Sequence, residues 1–221
     1  MTNEEQKNIL KAGGKELGLA IGDKELSSFL SYLKELKEWN KKINLTAITD
    51  DKDIIIRHFL DSLTLASFLS GKETLLDIGS GAGFPGIPLN IVIPDLKVTL
   101  MDSVNKKIIF MRHIIRTIGL KNIEAVQARA EDKETITKFA AYFDVITSRA
   151  FAGLGSFLDI ALPYAKKGGA LLAVKGPKWM EELKGLKGLK DIEVAQIKEI
   201  RLPFSDVTTT VLIFKKDGIR L

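Results

Sequence analysis

Cysteine is absent from the 221 residues, and only two histidines, His58 and His113, are present. Without a thiol there is no disulfide framework and no cysteine nucleophile. Two imidazoles and no thiolates leave a structural zinc site short of its usual ligands, so no metal is expected. No apolar run reaches the roughly 18 residues that a membrane-crossing helix needs. The opening Met1-Thr2-Asn3-Glu4-Glu5 is polar and acidic, unlike a secretory leader. The expectation is a cytoplasmic protein, a monomer, with no membrane partner.

What is present suits a buried core: 45% of residues are hydrophobic, ample for one large domain or a domain with an extension at this length. The net charge of +5 is unevenly spread. Residues 1–70 carry 10 Lys/Arg against 11 Asp/Glu, and residues 166–221 carry 12 against 7. A basic C-terminal third would attract phosphates. A solvated lysine-rich surface accounts for the same count.

Two textures divide the chain. Residues 1–70 read as a helical region. Leu26, Phe29, Leu30, Leu33, Leu36, Trp39 and Ile43 recur at three- and four-residue steps and form an apolar stripe. Asp23 is placed to cap that helix, and a further helix is expected from His58 to Leu69, ending before Gly71. Residues 71–221 instead alternate short apolar runs with amphipathic segments. Strands are expected near 74–78, 97–101, 123–126, 143–147, 169–174, 191–199 and 207–215. Helices are expected near 85–93, 104–118, 132–140, 153–165 and 178–189. This alternation implies an α/β fold with a mostly parallel seven-stranded sheet. The connection around Pro203 is too short for a crossover helix, so the last two strands should form an antiparallel hairpin at one edge.

The first strand leads into Asp77-Ile78-Gly79-Ser80-Gly81-Ala82-Gly83-Phe84-Pro85-Gly86, which opens a helix. In an open parallel sheet this is where an adenine-containing cofactor binds. Gly79, Gly81 and Gly83 let the chain turn tightly and let a ligand come close. Asp102 ends the next strand at the spacing of a carboxylate that grips ribose hydroxyls. The loop also fits G-x-G-x-x-G, so its glycines admit both a nicotinamide dinucleotide and S-adenosylmethionine. Asp77 favours the second, since a carboxylate there repels a diphosphate and attracts a ligand bearing ammonium and sulfonium groups. At ~4 Å the difference is roughly 1 kcal/mol in water and ~4 at an effective dielectric near 20. The missing G-K-[ST] excludes a P-loop.

Other segments fall around the same mouth. Ala130 and Glu131 follow the third strand beside the expected adenine pocket, although acids there also suit a helix start. After the fourth strand, Arg149 is placed to meet a phosphate or a cofactor carboxylate, and Phe151 to stack on a base. An Arg149–Asp144 ion pair with a core phenylalanine is the structural alternative. Lys175 and Lys178 flank a rigid turn after the fifth strand. Asn40 and Asn44 lie one turn apart, either on a base edge or capping the helix end. His58 and Asp61 share a helical face and suggest proton transfer or a structural hydrogen bond, while His113 reads as surface.

Taken together, these blocks resemble the RsmG family, also called glucose-inhibited division protein B. The resemblance runs through Trp39-Asn40, Asn44-Leu45-Thr46, Arg57-His58, Asp61-Ser62-Leu63 and Asp77 to Leu89. It continues through Asp102-Ser103, Lys106-Lys107, Phe110, Arg129-Ala130-Glu131, Ser148-Arg149-Ala150-Phe151 and Lys175-Gly176. It implies a class I S-adenosylmethionine-dependent methyltransferase (Rossmann-like) fold with an N-terminal helical extension. It further implies methylation of N7 of a guanosine, position 527 in the conventional numbering, in 16S ribosomal RNA of the small subunit. Cofactor contacts are implied at Gly79, Phe84, Ala130, Glu131 and Arg149; Asn44, Arg57, His58, Phe151 and Lys175 are candidates for the RNA side. Where family members often carry an Arg-His pair entering the last strand, this chain has Asp206-Val207-Thr208-Thr209-Thr210.

The missing cysteine agrees independently, because carbon-5 methylation of a pyrimidine usually needs a thiolate adduct. Guanine N7 is already a lone-pair nucleophile and has no proton to lose, so no general base is expected. Competing readings are ribose 2′-O methylation assisted by Lys175, an NAD-binding oxidoreductase, and a non-catalytic RNA-binding or assembly protein.

Overall fold

The computed structural model describes residues 1–149, 153–186 and 191–216. Helix α1 (Asn3–Glu16) starts at a capping box in which Thr2 accepts from the Glu5 amide and Glu5 accepts from the Thr2 amide. Helix α2 (Asp23–Ile43) buries Leu26, Phe29, Leu33 and Leu36 of the expected stripe, with Tyr32 added, while Leu30, Trp39 and Ile43 are only half-buried against the same core. Its cap is Gly22 rather than Asp23; Glu25 reaches back to the Gly22 amide at 3.1 Å. The helix ends where Asn44 turns left-handed at φ 49°. Asn40 accepts from the Leu45 and Thr46 amides and donates to the Thr46 carbonyl, which ties off the turn.

The next helical run is displaced from its expected place. It begins at Asp51, because Asp50 caps it by accepting from the Asp53 amide at 3.1 Å. It passes through α3 (Asp51–Ile54), a π-helical turn over Ile55–Leu60 and α4 (Asp61–Leu63), then unwinds before a short 3₁₀ turn, Ala66–Phe68. A hydrophobic pattern of 3.6-residue period carries no mark of a π-turn, so the sequence could not show it.

Strand β1 (Thr74–Ile78), helix α5 (Gly86–Val92), β2 (Lys97–Asp102), α6 (Asn105–Thr117) and β3 (Ile123–Gln127) form the first half of the sheet layer. Helix α7 (Lys133–Phe139), β4 (Phe143–Arg149), α8 (Leu154–Ala161), β5 (Ala165–Lys175), α9 (Trp179–Lys184), β6 (Ile192–Arg201) and β7 (Thr208–Lys216) complete it. The strand order is β3-β2-β1-β4-β5-β7-β6, with β7 antiparallel to both β5 and β6, as the short connection at Pro203 requires. Strand β5 starts earlier than Lys166-Lys167-Gly168-Gly169 suggested, since the register against β4 slips between Phe143 and Val145 and absorbs the glycines.

Alternation along the strands sorts side chains onto two faces. Leu75, Val98, Leu100, Val145, Leu172, Val174, Val211 and Ile213 share one core with α6 and with the helices before Gly71. Leu76, Ile78, Met101, Ile146, Leu171, Ala173, Leu212 and Phe214 share the other with α8. The N-terminal helices therefore cover the face to which Asp77 and Arg149 belong. Tyr32 is their deepest link to the sheet layer: its hydroxyl donates to the Ala82 carbonyl in the glycine loop, and its ring stacks on Phe59 and Phe84.

Tyr32→Phe removes that donor and leaves the Ala82 carbonyl buried without it. A loss of about 1–3 kcal/mol in unfolding free energy is expected, read from the urea midpoint at constant m. An unchanged midpoint would show that the hydroxyl adds nothing to the fold.

Candidate active site

The C-terminal ends of β1, β2 and β4 meet at the glycine loop. The loop is held from below: the Gly79 and Ser80 amides donate to the Met101 carbonyl at 2.8 and 3.1 Å, and Ser80 Oγ donates to the Asp77 carbonyl. Gly79, Gly81 and Gly83 all have positive φ, at 68°, 61° and 95°. Their surroundings differ. A methyl group on Gly79 would meet nothing within 4 Å, and one on Gly81 only the Gly79 carbonyl at 3.9 Å. On Gly83 it would lie 2.3 Å from Ile87, and on Gly86 2.3 Å from Leu100. The first two glycines thus leave an open face for a ligand, whereas the last two let α5 pack on the sheet.

One carboxylate borders this open face, and a second carboxyl group lies buried beneath the loop. Asp102 accepts from the Gly81 amide through Oδ2 (3.0 Å) and from the Val104 amide through Oδ1 (2.9 Å), with Lys107 at 3.5 Å. A carboxylate has about four acceptor positions, so lone pairs remain for a ligand hydroxyl. Asp77 is fully buried; Oδ2 accepts from the Gly86 amide at 3.0 Å, and buried Oδ1 has no partner among the described residues. Burial pushes the Asp77 carboxyl up to about 8, against the lowering influence of the Gly86 hydrogen bond and of Arg149. The repulsion of diphosphate expected from a fixed negative charge therefore takes a different form. At neutral pH a carboxyl so raised is mainly protonated, so the fixed negative charge expected at Asp77 is not there, and a cationic ligand next to it would favour its ionisation. The loop, the ribose-side carboxylate and the orphaned Asp77 oxygen fit the donor set of S-adenosylmethionine.

Opposite the loop lies a second cluster. Arg149 Nη1 donates to the Arg57 carbonyl at 3.1 Å and to Asp61 Oδ2 at 3.3 Å, and Nη2 approaches His58 Nδ1 at 3.0 Å. Its guanidinium carbon sits 4.9 Å above the Phe84 ring, and His58 stacks on the same ring at 4.7 Å. An arginine only donates, so towards Arg149 the His58 Nδ1 is the acceptor; the same nitrogen lies 3.1 Å from the Arg57 carbonyl, and Nε2 shares a hydrogen bond with Thr46 Oγ1 at 2.7 Å. Burial, then the charge of Arg149, lowers the imidazole to about 3 and keeps it neutral. His58 and Asp61 are not a proton-transfer pair; Arg149 stands between them. Nor does Arg149 pair with Asp144, which is taken by Lys166 at 2.8 Å and by Thr74.

The remaining candidates are spread around the mouth. Phe84 is buried among Tyr32, Phe59 and His58, so its ring serves the interface with the helices. Ala130 is buried and its carbonyl accepts from Tyr164 at 2.6 Å, while exposed Glu131 lies 3.8 Å from Arg129. Arg57 and Asn44 are exposed. Lys175 pairs with Glu182 at 2.8 Å. The register sets Arg149 beside Val174, so Lys175 belongs to the opposite face of the sheet. Phe151 lies outside the described residues. His113 is not a free surface residue: it pairs with Glu35 at 2.7 Å and packs on Trp39. Sequence reasoning missed Thr209, whose hydroxyl donates to Asp61 Oδ1 at 2.5 Å from 148 residues away, a contact that no local pattern announces. Tyr32 was detectable, three residues from Phe29 on the buried stripe.

A family model described as GidB, rRNA small subunit methyltransferase G, matches residues 25–210. Ribosomal RNA small subunit methyltransferase G of Geotalea uraniireducens is 44% identical over 217 residues, covering 97% of this chain and 98% of that protein. Its counterpart in Alkaliphilus metalliredigens is 40% identical, covering 96% and 91%. Among solved structures, a predicted O-methyltransferase from Agrobacterium tumefaciens superposes with TM-score 0.59 at 20% identity, covering 72% of this chain and 82% of the other. P. horikoshii TYW2 in complex with MeSAdo gives 0.57 at 18% identity, with 72% and 62% covered. At these identities the two structures speak for the fold.

The raised Asp77 carboxyl has a definite sign for stability. Between the ordinary carboxylate value and about 8, the folded chain holds a proton that the unfolded chain has lost. This contribution is full at low pH and disappears as pH rises through about 8. Asp77→Asn cannot titrate there. Relative to that variant, the wild-type protein should lose stability steadily from about pH 4 to about pH 8, which urea unfolding across pH measures. Parallel curves would place Asp77 in its ionised form throughout.

Proposed function

The chain belongs to the rRNA small subunit methyltransferase G family, and from that premise we propose that it transfers a methyl group from S-adenosylmethionine to N7 of the guanosine at position 527 of 16S ribosomal RNA. The observation that carries the reading is the open glycine face at Gly79 and Gly81, with Asp102 on the Gly81 amide and Asp77 buried beneath the loop. Bound there, S-adenosylmethionine supplies an electrophilic methyl group on a sulfonium.

The residues take separate parts. Asp102 holds the ribose side, the segment at Ala130 and Glu131 borders the adenine, and Arg149 meets the carboxylate of the donor. Asp77 lies under the loop, where its free oxygen favours a cation. Gly83 and Phe84 act through shape, closing the site against the N-terminal helices. Arg57 and Asn44, both exposed, are assigned to the RNA side.

Among the described residues, neither His58 nor Lys175 is arranged to accept a proton from a substrate at the mouth. His58 is neutral, its imidazole value lowered to about 3, and both ring nitrogens have partners. Lys175, the base that ribose methylation would call on, is engaged by Glu182 on the other face of the sheet. Guanine N7 needs none, because it attacks through a lone pair and carries no hydrogen. The rate then comes from holding donor and acceptor in line in a site sheltered from water. No helix of the described residues is long and apolar enough to cross a membrane; it is the ribosomal RNA substrate of the family that points to action in the cytoplasm.

The test is transfer of labelled methyl to the small subunit and to its isolated RNA, followed by mapping of the modified atom. Label at N7 of guanosine 527 is the expected result; label on a ribose oxygen, or none on RNA, contradicts the proposal. S-adenosylhomocysteine should raise the melting temperature and NAD should not.

A further inference from the structure

The cofactor face of Arg149 is prepared by a segment outside the glycine-loop domain pattern. All three acceptors on its guanidinium come from residues 57–61: the Arg57 carbonyl, His58 Nδ1 and Asp61 Oδ2. These residues span the end of the π-helical turn, whose wider winding brings a carbonyl and two side chains to one point. Of the three, Asp61 alone carries a charge. Its second oxygen accepts from Thr209 at 2.5 Å, so the carboxylate is gripped from the last strand and cannot swing away. Asp61 is only 9% exposed.

Stability does not account for this arrangement. A buried ion pair gains little over apolar side chains of the same size, because both charges must leave water. What it does supply is a fixed direction. The three bonds use both hydrogens of Nη1 and one of Nη2, leaving Nε–H and one Nη2–H among the five guanidinium donors. Two such donors, held still over the Phe84 ring, suit a carboxylate.

We propose that Asp61, seated by Thr209, is a positioning residue that orients Arg149 toward the carboxylate of the methyl donor. The helices before Gly71 then form part of the donor site, although they touch the cofactor only through Arg149. The proposal rests on the reading of Arg149 as a cofactor contact, and its test separates the two.

Binding of S-adenosylhomocysteine is measured by titration calorimetry on the full chain and on four variants, with thermal unfolding of each empty protein alongside. Asp61→Asn should raise Kd about tenfold, the weight of one charge-assisted hydrogen bond. Thr209→Val, which keeps the ion pair, should raise it about threefold. Arg149→Ala should weaken binding at least as much as Asp61→Asn. The double variant Asp61→Asn/Arg149→Ala should bind like Arg149→Ala alone, because Asp61 has nothing left to orient. A role confined to packing would instead make the two losses multiply, and that outcome overturns the proposal. Wild-type affinity in Asp61→Asn with weak binding in Arg149→Ala also overturns it, while leaving Arg149 as a cofactor contact. Wild-type affinity in Arg149→Ala removes that contact and the proposal with it. If Asp61→Asn does not fold, Thr209→Val decides, and unchanged affinity there counts against positioning.

Discussion

A guanidinium half-buried at the end of a strand must find acceptors, because its charge cannot be given up by losing a proton. Arg149 is in that position, and the structure around the site follows from meeting its demand. The acceptors come from residues 57–61, so the helices before Gly71 must dock on this face of the sheet rather than elsewhere. Docking brings Phe59 and Tyr32 against Phe84, and the hydroxyl of Tyr32 to the Ala82 carbonyl. The aromatic cluster and the polar cluster therefore share one interface. Packing supplies its area, and the arginine fixes its register.

The glycine loop shows how one residue type serves two needs. At Gly79 and Gly81 the positive φ shapes the turn, and the vacant side of the backbone faces open space. At Gly83 and Gly86 the missing side chain is filled at once by Ile87 and Leu100. The loop can lie open to a ligand on one side because its other side is packed so closely that it cannot sag. Asp77 belongs to this second side. It closes the N-terminus of α5 through the Gly86 amide, where a helix dipole favours negative charge, yet burial outweighs that help. His58, buried across the site, is shifted in the opposite sense, so burial makes both groups neutral. Arg149 and Asp102 are left as the charged groups bordering the open face.

The mostly parallel sheet, the antiparallel edge hairpin and the placement of most strands were legible from residues 74 to 216, whereas the strand order came only from the structure. Alternation of short apolar runs with amphipathic segments leaves few ways to bury both faces of a sheet, and a six-residue link at Pro203 cannot carry a crossover. The glycines, Asp77 and Asp102 were legible for a related reason: a tight turn and a close ligand restrict residue type at fixed spacings along a few consecutive residues. The family blocks added the RNA and its guanosine; the donor had already been favoured by the loop and Asp77.

What the tertiary structure alone decided was pairing. Sequence spacing joined His58 to Asp61 and Arg149 to Asp144, whereas the fold joins Arg149 to both His58 and Asp61 and gives Asp144 to Lys166. Thr209 meets Asp61 only because strand β7 inserts between β5 and β6, on the same sheet as Arg149. Protonation was decided there too, since Asp77 and His58 take their states from burial that depends on every element packed over them. Local patterns determine which backbone shapes are affordable. Which charge faces which, and whether it stays a charge, depends on residues distant in the chain and is settled only when the layers close.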